Sequence, residues 1–156
     1  MRVLLVGTGT VGEAIAVLTA ERDWCERMVL ADYSLERARQ VQARTGDEAR
    51  FPVERIDARE ASSVADLARR HGVDLVMNAV DPQFVMPIFE GALAAGTHYM
   101  DMAMSLSSPH PDRPFEVPGK KLGDEQFAME DAWRDSGKLA LVGMGIDPGL
   151  SDLFAR

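Results

Sequence analysis

The glycine-rich segment Gly7-Thr8-Gly9-Thr10-Val11-Gly12 constrains the fold of this chain more than any other feature. It follows the unbroken apolar run Val3–Val6, which is typical of a buried strand, and it precedes an amphipathic stretch. In such a strand–turn–helix unit, Gly7 permits the sharp turn, Gly9 lets the backbone approach a phosphate, and Gly12 lets the helix pack on the strand. The pattern therefore predicts a dinucleotide-binding α/β domain, in which N–H groups at the start of the helix bind a pyrophosphate.

Short apolar runs alternate with amphipathic stretches along the rest of the chain. This alternation predicts a doubly wound, mostly parallel, Rossmann-like sheet of about six strands with helices on both faces. The first predicted helix has an apolar face formed by Val11, Ile15 and Leu18, and the segment Ser105–Gly123 is predicted to be a long loop. The pattern predicts strands at Val3–Val6, Met28–Ala31, Val53–Ile56, Leu75–Val80, His98–Met102 and Leu139–Val142, and helices beginning near Val11, Leu35, Ala61, Met86 and Asp124.

Asp32 ends the second predicted strand, about 20 residues after Gly12, where an acid can accept hydrogen bonds from the adenosine ribose. Tyr33 and Ser34 come directly after Asp32 in the sequence and are predicted to belong to the same cofactor site. Ser34 is also a candidate helix cap. Because a carboxylate repels a 2′-phosphate, we predict that NAD is preferred. NADP is the alternative, since Ser34 and Arg37 can together host a phosphate.

Two further strand ends complete the predicted cofactor site. Asp57 and Ala58 follow the third strand, and Asp57 can accept a hydrogen bond from the adenine amino group; capping a helix is the equally weighted alternative. Asn78-Ala79-Val80 ends the fourth strand and is predicted to lie beside the pyrophosphate and the nicotinamide ribose. Ligands of doubly wound sheets bind at the carboxyl ends of strands, which is why both segments belong to one site.

Charge and composition exclude several other classes of function. The formal net charge of −8 argues against nucleic acid and against an anionic membrane as partners, whereas backbone N–H groups can bind a dinucleotide without net positive charge. One cysteine allows no internal disulfide, and no apolar run is long enough for a membrane span. The three histidines lack metal-ligand spacing, so we predict no metal site, and we expect a cytoplasmic protein.

Two segments near strand ends carry a family resemblance: His98-Tyr99-Met100-Asp101 and Met144-Gly145-Ile146-Asp147-Pro148-Gly149-Leu150. Together with the glycine turn, they make the whole chain resemble the saccharopine dehydrogenase family, which includes lysine and carboxynorspermidine dehydrogenases. The resemblance implies an NAD(P)-linked oxidoreductase that transfers a hydride to or from the C–N carbon of an imine or amine. Its small-molecule substrate would be derived from an amino acid.

The resemblance also implies a domain organisation. Residues 1–143 would form the dinucleotide-binding domain, and residues 144–156 would begin the connection to a substrate domain that this chain lacks. We therefore expect a fragment of a longer enzyme, inactive alone and with a possible homodimer in the full-length protein. The Ser105–Gly123 loop is longer than in plain saccharopine reductases and is more like the polyamine-related branch, so a lysine or carboxynorspermidine dehydrogenase relative is one alternative. A non-catalytic nucleotide-binding or redox-sensing module is another.

Asp101 and Asp147 are the candidate catalytic residues. They end the fifth and sixth predicted strands on the nicotinamide side, where a carboxylate can orient a substrate ammonium or exchange a proton with it. The alternative is structural: Asp101 would cap a turn, and Asp147-Pro148-Gly149 would be tight-turn chemistry.

Overall fold

The computed structural model describes residues 1–155. Strands and helices alternate over most of this length, as the apolar pattern predicts. In chain order the elements are β1 (Arg2–Val6), α1 (Thr10–Ala20), β2 (Arg27–Asp32), α2 (Leu35–Thr45), β3 (Val53–Arg55), α3 (Ala61–His71), β4 (Leu75–Asn78), a 3₁₀ turn (Pro82–Phe84), α4 (Val85–Ala95), β5 (His98–Asp101), α5 (Asp124–Phe127), α6 (Glu130–Ser136), β6 (Ala140–Leu141) and α7 (Leu150–Phe154).

All six strands form one parallel sheet in the order β3-β2-β1-β4-β5-β6. At the carboxyl end of β1, Val6 pairs with Ala31 of β2 on one side and with Asn78 of β4 on the other. The strand order therefore reverses between β1 and β4, which opens a crevice at that point of the sheet. The predicted doubly wound α/β fold is confirmed.

Both faces of the sheet are covered, which explains why the central strands are apolar throughout. In β1, Leu4 and Val6 belong to one core layer, and Val3 and Leu5 belong to the other. All four side chains are fully buried. The core thus fixes the carboxyl end of β1, from which the glycine turn departs.

An aromatic cluster packs α4, β5 and α6 together beside the sheet. The ring centroids of Phe89 and Tyr99 lie 4.9 Å apart at an edge-to-face angle of 88°. Trp133 lies 4.9 Å from the ring of Phe89 and 6.2 Å from that of Tyr99. This packing fixes the Tyr99 ring in the core, so its hydroxyl has a defined position near the end of β5.

The inward face of α1 differs from the predicted one. Of the predicted face, Ile15 is half-buried against the core, whereas Val11 and Leu18 are exposed. The fully buried residues are the small side chains Gly12, Ala16 and Thr19. A Cβ on Gly12 would lie 1.9 Å from the carbonyl oxygen of Gly7, so the helix approaches the turn too closely for a larger side chain. Close approach, and not apolar periodicity, decides which face of this helix is buried.

Most strand boundaries agree with the predicted ones to within one residue, and two elements differ by more. The fourth strand ends at Asn78 instead of Val80, and the helix expected to begin near Asp124 is divided into α5 and α6. The long loop between β5 and α5 is confirmed, with one antiparallel bridge that joins Ser108 to Lys120. The predicted connecting segment 144–156 contains α7, and its last residue, Arg156, lies outside the described residues. Between residues 1 and 155, no helix has the length and apolarity needed to cross a membrane.

Candidate functional site

A cleft of about 590 Å³ lies at the carboxyl end of the sheet, above the point where the strand order reverses. The glycine turn and the residues that follow β2, β3 and β4 form its walls. Residues that the sequence assigned to a cofactor site contribute much of the lining: Gly7, Gly9, Asp32, Tyr33, Asp57, Ala58, Ala79 and Val80.

The glycine turn leaves open backbone at the floor of this cleft. Gly7 has a φ of 95°, which only glycine adopts readily, and its N–H donates to the carbonyl of Ala31 at 2.8 Å. A Cβ on Gly9 would meet no atom within 4 Å, so the space over Gly9 is open. Helix α1 begins at Thr10, and Gly9 has no side chain to cap its first N–H groups. Such groups bind phosphates, so the turn fits a pyrophosphate.

Thr8 is not among the residues that line the cleft, because it is turned towards Asp32. Its N–H and its hydroxyl donate to Oδ2 of Asp32 at 2.8 and 2.9 Å, and the N–H of Ser34 donates to Oδ1 at 2.8 Å. Asp32 is 6% exposed, and Oδ1 lies 3.6 Å from the guanidinium of Arg37. Since each carboxylate oxygen accepts about two hydrogen bonds, Oδ2 is fully used and Oδ1 retains the remaining capacity for a ligand hydroxyl.

The residues after Asp32 form the outer rim of the cleft. Tyr33 is 63% exposed, and the guanidinium of Arg55 lies over its ring at 5.1 Å from the centroid. The hydroxyl of Ser34 accepts a hydrogen bond from the N–H of Arg37 at 3.3 Å. The predicted capping role of Ser34 is therefore confirmed, and the Arg37 side chain faces the cleft.

Asp57 is held by an arginine that the sequence analysis did not single out. The side chain of Arg59 donates from Nε to Oδ1 at 3.0 Å and from an Nη to Oδ2 at 2.7 Å. These hydrogen bonds lower the pKa of the Asp57 carboxyl to about 2. The suggestion that Asp57 caps the next helix is wrong, because Glu60 occupies the N-cap position of α3. The sequence did offer a clue to this pair, because Arg59 lies two residues after Asp57, in the loop that follows β3.

A second, smaller cavity of about 170 Å³ adjoins the cleft, because Ala79 and Val80 line both. Asn78 and Val11 also line it, which gives the unexpectedly exposed Val11 a place in the site. Asp101 lies at this cavity as well, so the ends of β4 and β5 meet there. Of the remaining predicted site residues, Thr10 is exposed and Gly12 is buried against the turn.

The two candidate catalytic carboxylates have different surroundings. Asp101 is 0% exposed and accepts hydrogen bonds from Tyr99, Gln126 and the N–H of Gly143. Burial raises the pKa of the Asp101 carboxyl, although these hydrogen bonds act in the opposite direction. Burial also raises the pKa of Tyr99, and the neighbouring Asp101 adds to that effect.

Asp147 lies exposed at the surface, in the turn that precedes α7, and its Oδ1 accepts a hydrogen bond from the hydroxyl of Ser151 at 3.2 Å. The N–H of Gly145 donates to the carbonyl of Pro148 at 3.1 Å, and the N–H of Leu150 donates to the carbonyl of Gly145 at 2.9 Å, so the segment folds back on itself. Asp147 is therefore open to a ligand, but it lies six residues beyond the end of β6 and lines neither the cleft nor the smaller cavity, so its predicted place at the end of the sixth strand is wrong. Asp101, in contrast, is enclosed at the smaller cavity. Within residues 1–155, His, Cys, Asp and Glu side chains form no group of three or more that could hold a metal ion.

Comparison with curated proteins finds relatives along almost the whole chain. Carboxyaminopropylagmatine dehydrogenase of Synechocystis sp. is 29% identical over 98% of this chain and 36% of its own length. Carboxynorspermidine synthase of Vibrio cholerae serotype O1 is 25% identical over 99% of this chain and 38% of its own length. The chain thus spans little more than a third of the length of these relatives.

Solved structures show the same fold. Apo saccharopine dehydrogenase (L-Glu forming) from Saccharomyces cerevisiae superposes with a TM-score of 0.73 at 19% identity, over 99% of this chain and 29% of that one. The yeast methylglyoxal/isovaleraldehyde reductase Gre2, complexed with NADPH, gives a TM-score of 0.66 at 17% identity, over 91% of this chain and 54% of that one. The model of the family described as "Saccharopine dehydrogenase NADP binding domain" matches residues 3–141. The chain therefore belongs to the family of saccharopine dehydrogenase NADP-binding domains.

Proposed function

We propose that this chain is the cofactor domain of an NAD(P)-dependent oxidoreductase that acts on carbon–nitrogen bonds. The observation that carries the proposal is the glycine turn: it is closed around Gly7 and Gly12 but open over Gly9, at the N-terminus of α1. A pyrophosphate needs this combination of exposed main-chain N–H groups and absent side chains.

Each segment of the cleft then has a role. The N–H groups of Thr10, Val11 and Gly12 bind the pyrophosphate, while Asp32, Tyr33, Asp57 and Ala58 surround the adenosine. The nicotinamide end lies towards Asn78-Ala79-Val80 and the smaller cavity. Bound NAD(P) supplies the hydride donor or acceptor. Thr8 and Ser34 act indirectly, because both hold the Asp32 carboxylate in place.

We propose NAD as the preferred cofactor, with NADP second. Three donors fix the buried Asp32 carboxylate, so it cannot move away from a 2′-phosphate. The remaining acceptor capacity of Oδ1 suits one ribose hydroxyl. Arg37 acts in the opposite direction, since its guanidinium lies close enough to neutralise part of the carboxylate charge. The Asp32–Arg37 pair therefore sets the selectivity.

The proposed substrate is an imine or secondary amine derived from an amino acid or a polyamine. Support comes from the relatives named carboxyaminopropylagmatine dehydrogenase and carboxynorspermidine synthase. A net charge of −8 also favours cationic amines over anionic substrates. Asp147 is exposed, so it can orient a substrate ammonium. Asp101 was predicted to do the same, but its side chain is fully buried.

We further propose that residues 1–143 form the cofactor domain and that residues 144–156 lead towards a substrate domain of a longer protein. Because the substrate contacts would come mainly from that second domain, the isolated chain is expected to bind cofactor without turnover. Hydride transfer then requires the longer protein.

Calorimetric titration of the chain with NAD, NADH, NADP and NADPH tests the proposal directly. We expect binding of at least one pair, with NAD and NADH tighter. Failure of all four to bind would refute the assignment of the cleft. For the substrate class, the longer protein is assayed for oxidation of NADH and of NADPH with an α-keto acid or aldehyde offered together with either a polyamine or an amino acid. Absence of turnover with every such pair would reject carbon–nitrogen chemistry.

A further inference from the structure

A buried hydrogen-bond network centred on the carboxylate of Asp101 joins three segments around the smaller cavity. The hydroxyl of Tyr99 and Nε2 of Gln126 each donate to Oδ2 at 2.8 Å, and the N–H of Gly143 donates to Oδ1 at 2.7 Å. Among the ion pairs of residues 1–155, none includes Asp101. Hydrogen-bond donors alone therefore satisfy this carboxylate.

The direction of every hydrogen bond in the network is fixed by backbone N–H groups, which can only donate. The N–H of Val80 donates to Oδ1 of Asn78 at 3.1 Å, so Nδ2 of Asn78 faces the hydroxyl of Tyr99, also at 3.1 Å. The Tyr99 hydroxyl accepts that bond and donates its own proton to Asp101. The chain of donors thus runs from the end of β4 to the end of β5.

A second branch reaches Asp101 from the long loop. The N–H of Ser105 donates to Oε1 of Gln126 at 2.8 Å, which turns Nε2 of Gln126 towards Asp101. Ser105 and Gln126 are 1% and 2% exposed, so water does not compete for these groups. Both branches present only donors to Asp101, and an ionised carboxylate is the side chain that accepts from all of them.

We propose that Asp101 is a positioning residue, which holds the segment Asn78–Val80 that leaves β4, the start of the long loop and Gly143 in the arrangement that receives the nicotinamide end of the dinucleotide. Asn78 and Val80 line the smaller cavity, and Gly143 begins the segment that carries Asp147. Asp101 therefore acts through its partners and not by contact with substrate. The inference rests on the proposed function, because it assumes that a dinucleotide occupies the cleft.

The substitution Asp101→Asn tests the network with almost no change of shape. The new amide has one oxygen and one NH₂ group. If the NH₂ group replaces Oδ2, it faces the donors of Tyr99 and Gln126; if it replaces Oδ1, it faces the N–H of Gly143. Either orientation sets donor against donor and leaves a buried group unpaired.

The readout compares whole and truncated nucleotides by calorimetry: NADH against ADP-ribose, and NADPH against 2′-phospho-ADP-ribose. For the pair that the wild-type chain binds, we expect Asp101→Asn to weaken the dinucleotide about tenfold while the truncated nucleotide changes by less than about twofold. The matched control is Thr97→Val. The hydroxyl of Thr97 also makes a buried hydrogen bond, to the carbonyl of Ala92 at 3.1 Å, but at the opposite end of β5. We expect Thr97→Val to lower the stability of the fold and to leave the ratio of dinucleotide affinity to truncated-nucleotide affinity unchanged.

The inference is overturned if Asp101→Asn leaves the ratio of dinucleotide affinity to truncated-nucleotide affinity as in the wild type. That includes the case in which both affinities fall by the same factor. Should this variant fail to fold, Tyr99→Phe decides by the same ratio, because it keeps the aromatic packing and removes one donor. A wild-type chain that binds neither dinucleotide nor truncated nucleotide overturns the proposed function itself. Wild-type binding with an unchanged ratio in the variants rejects only the role of Asp101.

Discussion

Thr8 donates both its N–H and its hydroxyl to the same carboxylate oxygen of Asp32, across 24 residues of sequence. The two residues follow β1 and end β2, so this pair of hydrogen bonds ties the glycine turn to the neighbouring strand. An acid at this position thus has a structural role besides any contact with ribose. The turn keeps its shape because Asp32 holds it.

Replacing Thr8 with valine should destabilise the domain. Valine has nearly the same volume but cannot donate to Asp32, and the hydroxyl is 2.9 Å from a buried carboxylate. Loss of a hydrogen bond to a charged group costs about 1.5–3 kcal/mol. Urea denaturation measures the change in the free energy of unfolding. Thr10→Val is the control, since Thr10 is exposed, and a loss as large in the control would contradict the role given to the Thr8 hydroxyl.

Cofactor selectivity should follow the charge at Asp32. We expect Asp32→Asn to raise the affinity for NADP relative to NAD by about tenfold, which corresponds to roughly 1.4 kcal/mol. A like-charge pair at about 4 Å costs up to ~4 kcal/mol at an effective dielectric constant near 20, before screening by solvent. Competitive titration of the two cofactors gives the ratio of dissociation constants.

Two arginine variants provide the controls for this ratio. Arg37→Gln should shift the ratio towards NAD, because it removes the cation 3.6 Å from Asp32. Arg39→Gln removes an exposed charge from the same helix, outside the cleft lining, and should leave the ratio as in the wild type. An Asp32→Asn protein with the wild-type ratio contradicts the assigned selectivity.

The Asp57–Arg59 ion pair should be visible in a pH titration. The pKa of Asp57 is about 2 instead of its usual 3.8, so the pair stabilises the fold above pH 3.8 and this contribution is lost as pH falls towards 2. In Arg59→Gln, we expect the carboxyl resonance of Asp57, followed by NMR, to titrate at a higher pH than in the wild type but still below 3.8, because the backbone N–H of residue 59 still donates to Oδ1. The control variant Arg37→Gln should leave the pKa of Asp57 as low as in the wild type. A wild-type midpoint already near 3.8 would show that the pair does not form in solution.

Local sequence rules predicted the elements whose causes are local. The glycine turn and the Ser34 cap each follow from what one or two residues at that point of the chain can do. The sheet followed from the apolar runs. The buried face of α1 did not, because that helix is apolar on several sides and close approach at Gly12 selects among them.

The polar contacts of the site were not predictable in this way, because they join distant segments. Gln126 reaches Asp101 across 25 residues, and Gly143 reaches it across 42. Nothing in the sequence around Gln126 indicates that its amide is buried, since α5 is a short helix beside a long loop. Asp101 was found as a strand-end acid, but its partners, and therefore its proposed positioning role, needed the fold.

The glycine turn offers the sharpest separation of folding from binding. A Cβ on Gly12 would lie 1.9 Å from the carbonyl oxygen of Gly7, whereas a Cβ on Gly9 would meet no protein atom within 4 Å. Overpacking of this kind costs about 1–3 kcal/mol or more, because the backbone must move. We therefore expect Gly12→Ala to lower the thermal midpoint clearly and Gly9→Ala to leave it nearly unchanged.

Binding should respond in the opposite pattern. The Cβ of Gly9→Ala points into the space that we assign to the pyrophosphate, so a well-folded protein should lose at least about tenfold in dinucleotide affinity. Calorimetry with NADH and NADPH, combined with thermal unfolding of the same samples, measures both quantities. If Gly9→Ala keeps both its stability and its dinucleotide affinity, no phosphate approaches this turn. The close packing at Gly12 would then have a structural role only.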